Sequence, residues 1–193
     1  MVDNGIEVHI RVVRVPAGVG LAVHHDDGLI LVPGQVLDLE QFQAEHLDHG
    51  LLVAVVCQGD PLFYGSYMHL HVRLARRFQT EIVAGVSGMS GCWSAIGTPI
   101  AQGDDVFSVL PGTLGQDELE RRLTEADAVV VIKLGRNLPK VRRALERTGR
   151  LDRAVYVERG TMTGEMAIPL AAKADDCAPY FAVVLVPGWE RRI

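Results

Sequence analysis

Apolar positions alternate at the start of the chain and fall into continuous or helical runs further on. Val8-His9-Ile10-Arg11-Val12 alternates with period two, which predicts a half-buried strand. Leu29-Ile30-Leu31-Val32 predicts a second short strand, stopped by Pro33-Gly34, with His24-His25-Asp26-Asp27-Gly28 as a polar turn between the two. From Leu39 the pattern becomes regular. Glu40 to His49 carries Phe42 and Leu47 at helical spacing, with Gly50 placed to end the helix. Leu51-Leu52-Val53-Ala54-Val55-Val56 is apolar on both faces, the pattern of a strand inside a parallel sheet.

Helices are predicted over Tyr67 to Phe78, from Ser90 onward, over Asp117 to Glu125 and over Leu138 to Arg147. Strands are predicted at Glu81 to Ala84, Asp105 to Leu110, Ala128 to Ile132, Ala154 to Val157 and Phe181 to Val186. Alternating strands and helices make this an α/β chain. Pro111-Gly112-Thr113-Leu114-Gly115 interrupts the pattern and is the expected boundary. The expected organisation is therefore an N-terminal segment over 1–39, the remainder of an α/β domain over 40–112, and a second α/β domain over 113–193.

Composition narrows the function classes. A length of 193 residues suffices for a buried core without disulfides or a structural metal. The formal charge of −5 argues against a general nucleic-acid binder, although a local basic pocket for an acidic ligand stays open. Cys57, Cys92 and Cys177 form no CxxC and no zinc spacing, which fits a reducing, cytoplasmic setting. The longest apolar runs are too short to span a bilayer, and no basic leader precedes an apolar stretch, so neither membrane insertion nor a signal peptide is expected.

Three stretches could carry chemistry, each following a predicted strand. In Gly59-Asp60-Pro61, the glycine lets backbone approach a ligand, the proline fixes the turn, and Asp60 either accepts ligand hydrogen bonds or caps the next helix; an ordinary tight turn is the alternative. Gly85-Val86-Ser87-Gly88-Met89-Ser90-Gly91-Cys92 opens a helix, so it either offers backbone N–H groups to an anion or packs closely on the sheet. Its glycines do not follow the dinucleotide order GxGxxG. In Glu158 to Glu165, Arg159 either grips a carboxylate or sits in a plain polar loop. His69 and His71 point apart on a helix, so no metal site is expected there. Cys92 at a helix start is either an activated thiol or a small buried residue.

Gly59-Asp60-Pro61-Leu62-Phe63-Tyr64-Gly65-Ser66-Tyr67-Met68, Gly85 to Ala95 and Val109-Leu110-Pro111-Gly112-Thr113-Leu114 together resemble the tetrapyrrole methylases. Lys133-Leu134-Gly135-Arg136-Asn137, Glu158-Arg159-Gly160-Thr161 and Val186-Pro187-Gly188-Trp189-Glu190 extend the resemblance over roughly 40–193. Within the family the pattern is nearest to the branch that methylates C-20 of precorrin-2 in cobalamin synthesis. The resemblance implies two α/β domains with a ligand trough between them, S-adenosylmethionine as methyl donor, a tetrapyrrole substrate and a homodimer. It implies that Gly59, Asp60, Pro61 and Phe63 border the cofactor, with Ser87, Gly88, Leu134, Thr161 and Val183 as further contacts. Arg136, Arg159 and Arg73 become candidates to hold substrate carboxylates, with plain surface charge as the alternative for each. It implies in-line attack of an electron-rich meso carbon on the methyl group, helped by orientation and desolvation, with no general base assigned.

Residues 1–39 depart from the family pattern. The family's opening strand leads into a Gly-Val-Gly-Pro-Gly-Asp-Pro loop, whereas Val15-Pro16-Ala17-Gly18-Val19-Gly20-Leu21 has Gly-x-Gly without Gly-Asp-Pro. An incomplete N-terminal domain is therefore expected. A catalytically impaired remnant, or a methylase of cobalt-factor II or another corrin intermediate, stays open beside the main reading.

Overall fold

The computed structural model describes residues 9–14, 24–25, 28–31, 44–45, 47–49, 52–57 and 59–188. They form two compact units, divided between Gly88 and Met89. Val15 to Leu21, Phe42, Gly50 and Trp189-Glu190 lie outside the described residues.

The first unit is built on a five-stranded sheet in the order β2-β3-β4-β1-β5. Its strands are β1 (His9–Arg14), β2 (His24–His25), β3 (Gly28–Leu31), β4 (Leu52–Cys57) and β5 (Gln79–Ile82). β3, β4, β1 and β5 run parallel, as the two-faced apolar pattern of β4 requires, while β2 turns back antiparallel on β3. Sequence reading assigned His24 to Gly28 to a turn; His24 and His25 instead pair with Leu29 and Gly28. Three strands of this sheet come from the first 31 residues, and β1 lies between β4 and β5.

Val53 and Val55, two apart and so on one face of β4, share a core with Ala44, Leu47, Tyr67 and Leu74. Leu47 belongs to the short helical stretch expected there. α1 (Tyr67–Leu74) is shorter than its expected span, because the Leu74 carbonyl accepts N–H bonds from both Arg77 and Phe78 and turns the chain. That turn returns Phe78 to the same core.

The second unit has a mixed sheet in the order β6-β7-β10-β8-β9. Its strands are β6 (Phe107–Pro111), β7 (Ala128–Ile132), β8 (Val155–Glu158), β9 (Met166–Pro169) and β10 (Ala182–Val186). β6 pairs parallel with β7; β10 is antiparallel to both β7 and β8, and β9 is antiparallel to β8. The division thus falls earlier in the chain than Pro111–Gly115, since β6 is an edge strand of this second sheet. An edge position also tolerates Pro111 within the strand.

Strand alternation splits the sheet into two faces. Val129, Val131, Tyr156, Val184 and Val186 face the core made with α3 (Gln116–Glu125) and α4 (Leu138–Arg147). Val130, Val157 and Leu185 face Cys92, Met89 and Trp93 of α2 (Gly88–Ile96). α4 buries Leu138, Val141, Ala144 and Leu145, one helical stripe, and carries Pro at its first turn where the missing N–H is harmless. On the same helix Arg142 donates to the Leu170 and Lys173 carbonyls at 2.9 and 3.1 Å, fixing the turn after β9. No helix among the described residues is long and apolar enough to cross a membrane.

Leu145 is fully buried. Leu145→Ala is expected to cost about 2–5 kcal/mol, read as a lower urea midpoint. Arg121→Ala, in the exposed Glu118–Arg121–Glu125 network, is expected to leave that midpoint nearly unmoved.

Candidate functional site

β4 and β5 flank β1, so their backbones stand about 10 Å apart, two strand spacings. Beyond the carboxyl ends of these parallel strands their loops nevertheless meet. Gly59 leaves β4 with φ of +78°, a conformation glycine holds without strain. Asp60 then accepts two backbone N–H groups, Leu62 on Oδ1 at 3.0 Å and Gly85 on Oδ2 at 3.1 Å. Its carboxylate therefore joins the loop after β4 to the loop after β5. A Cβ on Gly85 would stand 2.1 Å from the Gly59 carbonyl oxygen, so the approach requires glycine there. Gly59 itself faces Val86, Ser87 and Gly88 at ordinary contact distance.

The result is one surface lined by backbone of 59–61 and 85–88, at the end of a parallel sheet where open α/β folds hold ligands. Gly88 opens α2, with nothing within 4 Å of the place its Cβ would take. Pro61 is buried, whereas Leu62, Phe63 and Tyr64 are exposed, and the Phe63 and Tyr64 rings meet edge to face at 4.9 Å. Gly59, Asp60, Pro61, Ser87 and Gly88 are thus brought together within the first unit. Arg73 is exposed on α1.

The remaining sequence-picked residues lie in the second unit. Leu134 is 1% exposed and packs in the core with α3 and α4, so its side chain is not offered to a ligand. That corrects its reading as an apolar contact by side chain. Val183 is partly buried against the α2 face. Arg136 is exposed in the 3₁₀ turn after β7. Arg159 and Thr161 follow β8 with φ of 52° and 65°, left-handed conformations rare outside glycine. Thr161 N–H donates to Glu165 Oε2 at 2.5 Å.

Gly160 sits directly on α2: a Cβ there would lie 2.9 Å from both Cα and Sγ of Cys92. Cys92 is 6% exposed, and burial pushes its thiol up to about 11, with the Glu165 charge adding to the rise and a hydrogen bond to the Gly160 backbone opposing it. Of the two readings for Cys92, the small buried residue holds and the activated thiol does not; desolvation outweighs the helix N-terminus.

Three features escaped the sequence. Strand β9 lay unrecognised behind the polar loop. Lys133 holds φ of 57° although lysine carries no signal for it. Tyr180 and Phe181 are exposed, while Phe181 had been taken only as the start of a strand.

The sequence profile of the Tetrapyrrole (Corrin/Porphyrin) Methylases matches residues 33–173. A precorrin-2 C(20)-methyltransferase of a Sinorhizobium species is 58% identical over 174 residues, covering 88% of this chain and 70% of that protein. A cobalt-precorrin-2 C(20)-methyltransferase of Salmonella typhimurium is 24% identical over 147 residues, covering 75% of this chain and 62% of that protein. The crystal structure of the methyltransferase CobJ superposes with a TM-score of 0.66 at 17% identity, covering 94% of this chain and 93% of its own, a likeness of fold.

Two outcomes test this geometry. Gly85→Ala is expected to destabilise the first unit by about 1–3 kcal/mol, the usual cost of overpacking, with faster amide exchange at Leu62 and position 85. Iodoacetamide at pH 8 is expected to label exposed Cys177 in the native chain but not Cys92, whose thiol titrates only near pH 11; Cys92 should label after unfolding, and rapid native labelling of it would contradict the burial.

Proposed function

The chain belongs to the tetrapyrrole (corrin/porphyrin) methylases, and from that premise we propose that it transfers a methyl group from S-adenosylmethionine to C-20 of precorrin-2 in cobalamin biosynthesis. The observation that carries the reading is the high identity to the Sinorhizobium precorrin-2 enzyme, well above that to the Salmonella cobalt-precorrin-2 enzyme. This contrast favours the metal-free tetrapyrrole over its cobalt complex. A homodimer in the cytoplasm belongs to the same proposal.

The first-unit surface suits the donor. Its backbone is laid open by Gly59 and by Gly88, whose Cβ position is empty, and it has an exposed ring at Phe63 beside it. S-adenosylmethionine, when bound, supplies a methyl group already activated on a sulfonium. The chain's own task is then to hold and orient. Gly59, Pro61, Ser87 and Gly88 border the donor with backbone, and Phe63 covers it with apolar surface. Asp60 acts by joining the two loops, since both its oxygens already accept N–H groups. Thr161 and Val183 are assigned as further donor contacts, Leu134 through its backbone alone, and Arg136, Arg159 and Arg73 as cations for substrate carboxylates. Desolvation and alignment carry the rate, with no covalent intermediate on the protein.

The test is calorimetric titration of the purified chain with S-adenosylmethionine, followed by mass spectrometry of precorrin-2 and cobalt-precorrin-2 after incubation. Donor binding and one added methyl group, with the metal-free substrate preferred, are expected. Absence of donor binding would sink the proposal in favour of an impaired remnant; preference for the cobalt complex would reassign the substrate.

A further inference from the structure

β8 and β9 form a hairpin closed by the pair Glu158 and Met166, so residues 159–165 are its loop. Two successive turns build that loop. Met162 N–H donates to the Arg159 carbonyl at 2.8 Å, and Glu165 N–H donates to the Met162 carbonyl at 3.1 Å. Each turn has a positive φ at its third residue, Thr161 at 65° in the first and Gly164 at 79° in the second. A turn with that backbone calls for glycine at its third position. The second turn supplies one. The first carries its glycine one residue early, at Gly160, and sets a β-branched residue where the backbone is left-handed.

Both departures trace to α2. A side chain at 160 has no room against Cys92, so that position is glycine on packing grounds. Thr161 in turn lies over Gly91: a Cβ on that glycine would stand 3.2 Å from Thr161 Oγ1 and 3.7 Å from Thr161 Cγ2. The helix thus leaves a place for the threonine side chain, and the backbone bears the strain of putting it there.

Strain of this kind persists only where the surroundings over-determine it. Arg159 N–H donates to the Phe181 carbonyl at 2.8 Å, which ties down the start of the loop. Thr161 itself is exposed, and its own backbone is held from one side, by Glu165. Glu165 is the last residue before β9, so the register of the sheet places its backbone. From there its Oε2 reaches back across the second turn to accept Thr161 N–H. The acceptor is a carboxylate, which makes the bond charge-assisted. With its N–H committed, Thr161 keeps a hydroxyl and a carbonyl for another partner.

We propose that Glu165 is a positioning residue of the methyl-transfer site, holding Thr161 by its N–H in the left-handed conformation from which Thr161 meets the donor. This role rests on the methylase reading above, which gives Thr161 a donor contact. Glu165 acts through Thr161 and touches no ligand itself.

The test is a double-mutant cycle read as S-adenosylmethionine affinity by calorimetry. Circular dichroism confirms the fold of each variant, and amide exchange at residue 161 gives a readout independent of the donor. Glu165→Gln keeps an acceptor oxygen and loses the charge; it is expected to hold donor affinity within about threefold. Glu165→Ala is expected to weaken donor binding about tenfold, the loss of one charge-assisted hydrogen bond, and to speed exchange of the Thr161 amide. In a Thr161→Gly chain the glycine adopts positive φ unaided. Adding Glu165→Ala to that chain is expected to change affinity by less than about twofold.

An equal loss in Glu165→Gln and Glu165→Ala would mean that the charge itself acts on the sulfonium, and would overturn the positioning role. Unchanged affinity or unchanged amide exchange in Glu165→Ala would overturn it too, as would an equal loss in both backgrounds. Each of these leaves the methylase reading standing. A folded wild-type chain that binds no donor would overturn the methylase reading, and the role of Glu165 with it.

Discussion

The meeting of two loops over the end of β1 is the constraint on which the first unit's candidate site depends. β4 and β5 are not neighbours in the sheet, yet the Gly59 carbonyl comes so close to Gly85 that no side chain fits between. Two features make this stable. Asp60 supplies a carboxylate that accepts a donor from each loop, so the backbone N–H groups exposed by leaving the sheet are satisfied without water. Gly85 removes the steric barrier. The chemistry there follows from the geometry: with Asp60 internally committed, the surface left for a ligand is backbone and exposed ring.

The second unit rests on a different principle. Its sheet is apolar on both faces, and strict alternation sends Val129 and Val131 to one layer and Val130 to the other. Two long cations drawn into this interior find partners, whereas Arg153 Nη2 is buried without one. Arg150 is buried and donates to the Ala126 and Asp127 carbonyls at the end of α3, and Lys173 lies 4.5 Å from the Tyr156 ring centroid while donating to Asp175. A rigid sheet of this kind can hold loop residues such as Lys133 and Arg159 in conformations they would not adopt alone.

Much of this architecture was legible in the sequence, and the reasons are physical. β4 and β7 announced themselves as unbroken apolar runs, β7 being buried on both faces, and α4 because Leu138, Val141, Ala144 and Leu145 fall on one stripe. β9 was not legible: it is four residues long at a sheet edge, with only alternate positions partly buried. β6 starts later than Asp105 because that side chain accepts the Gln102 N–H and makes a turn first. The Gly-Asp-Pro stretch was recognised, but the second partner of Asp60 is Gly85, a pairing that local sequence cannot express. Leu134 was read as a ligand contact from the family resemblance alone, and its burial depends on helices that pack from elsewhere. The positive φ values of Lys133, Arg159 and Thr161 left no trace, since none of these residue types favours them.

The contact between Gly160 and Cys92 has an evolutionary corollary. The two positions share one volume, with no room for an added methyl group at 160 while sulfur occupies 92. Shrinking the helix side chain would not open position 160, because the Cα of residue 92 itself lies 2.9 Å from the added carbon. Among descendants of this sequence position 160 should therefore stay glycine whatever residue stands at 92, for as long as the loop keeps this approach to the helix backbone.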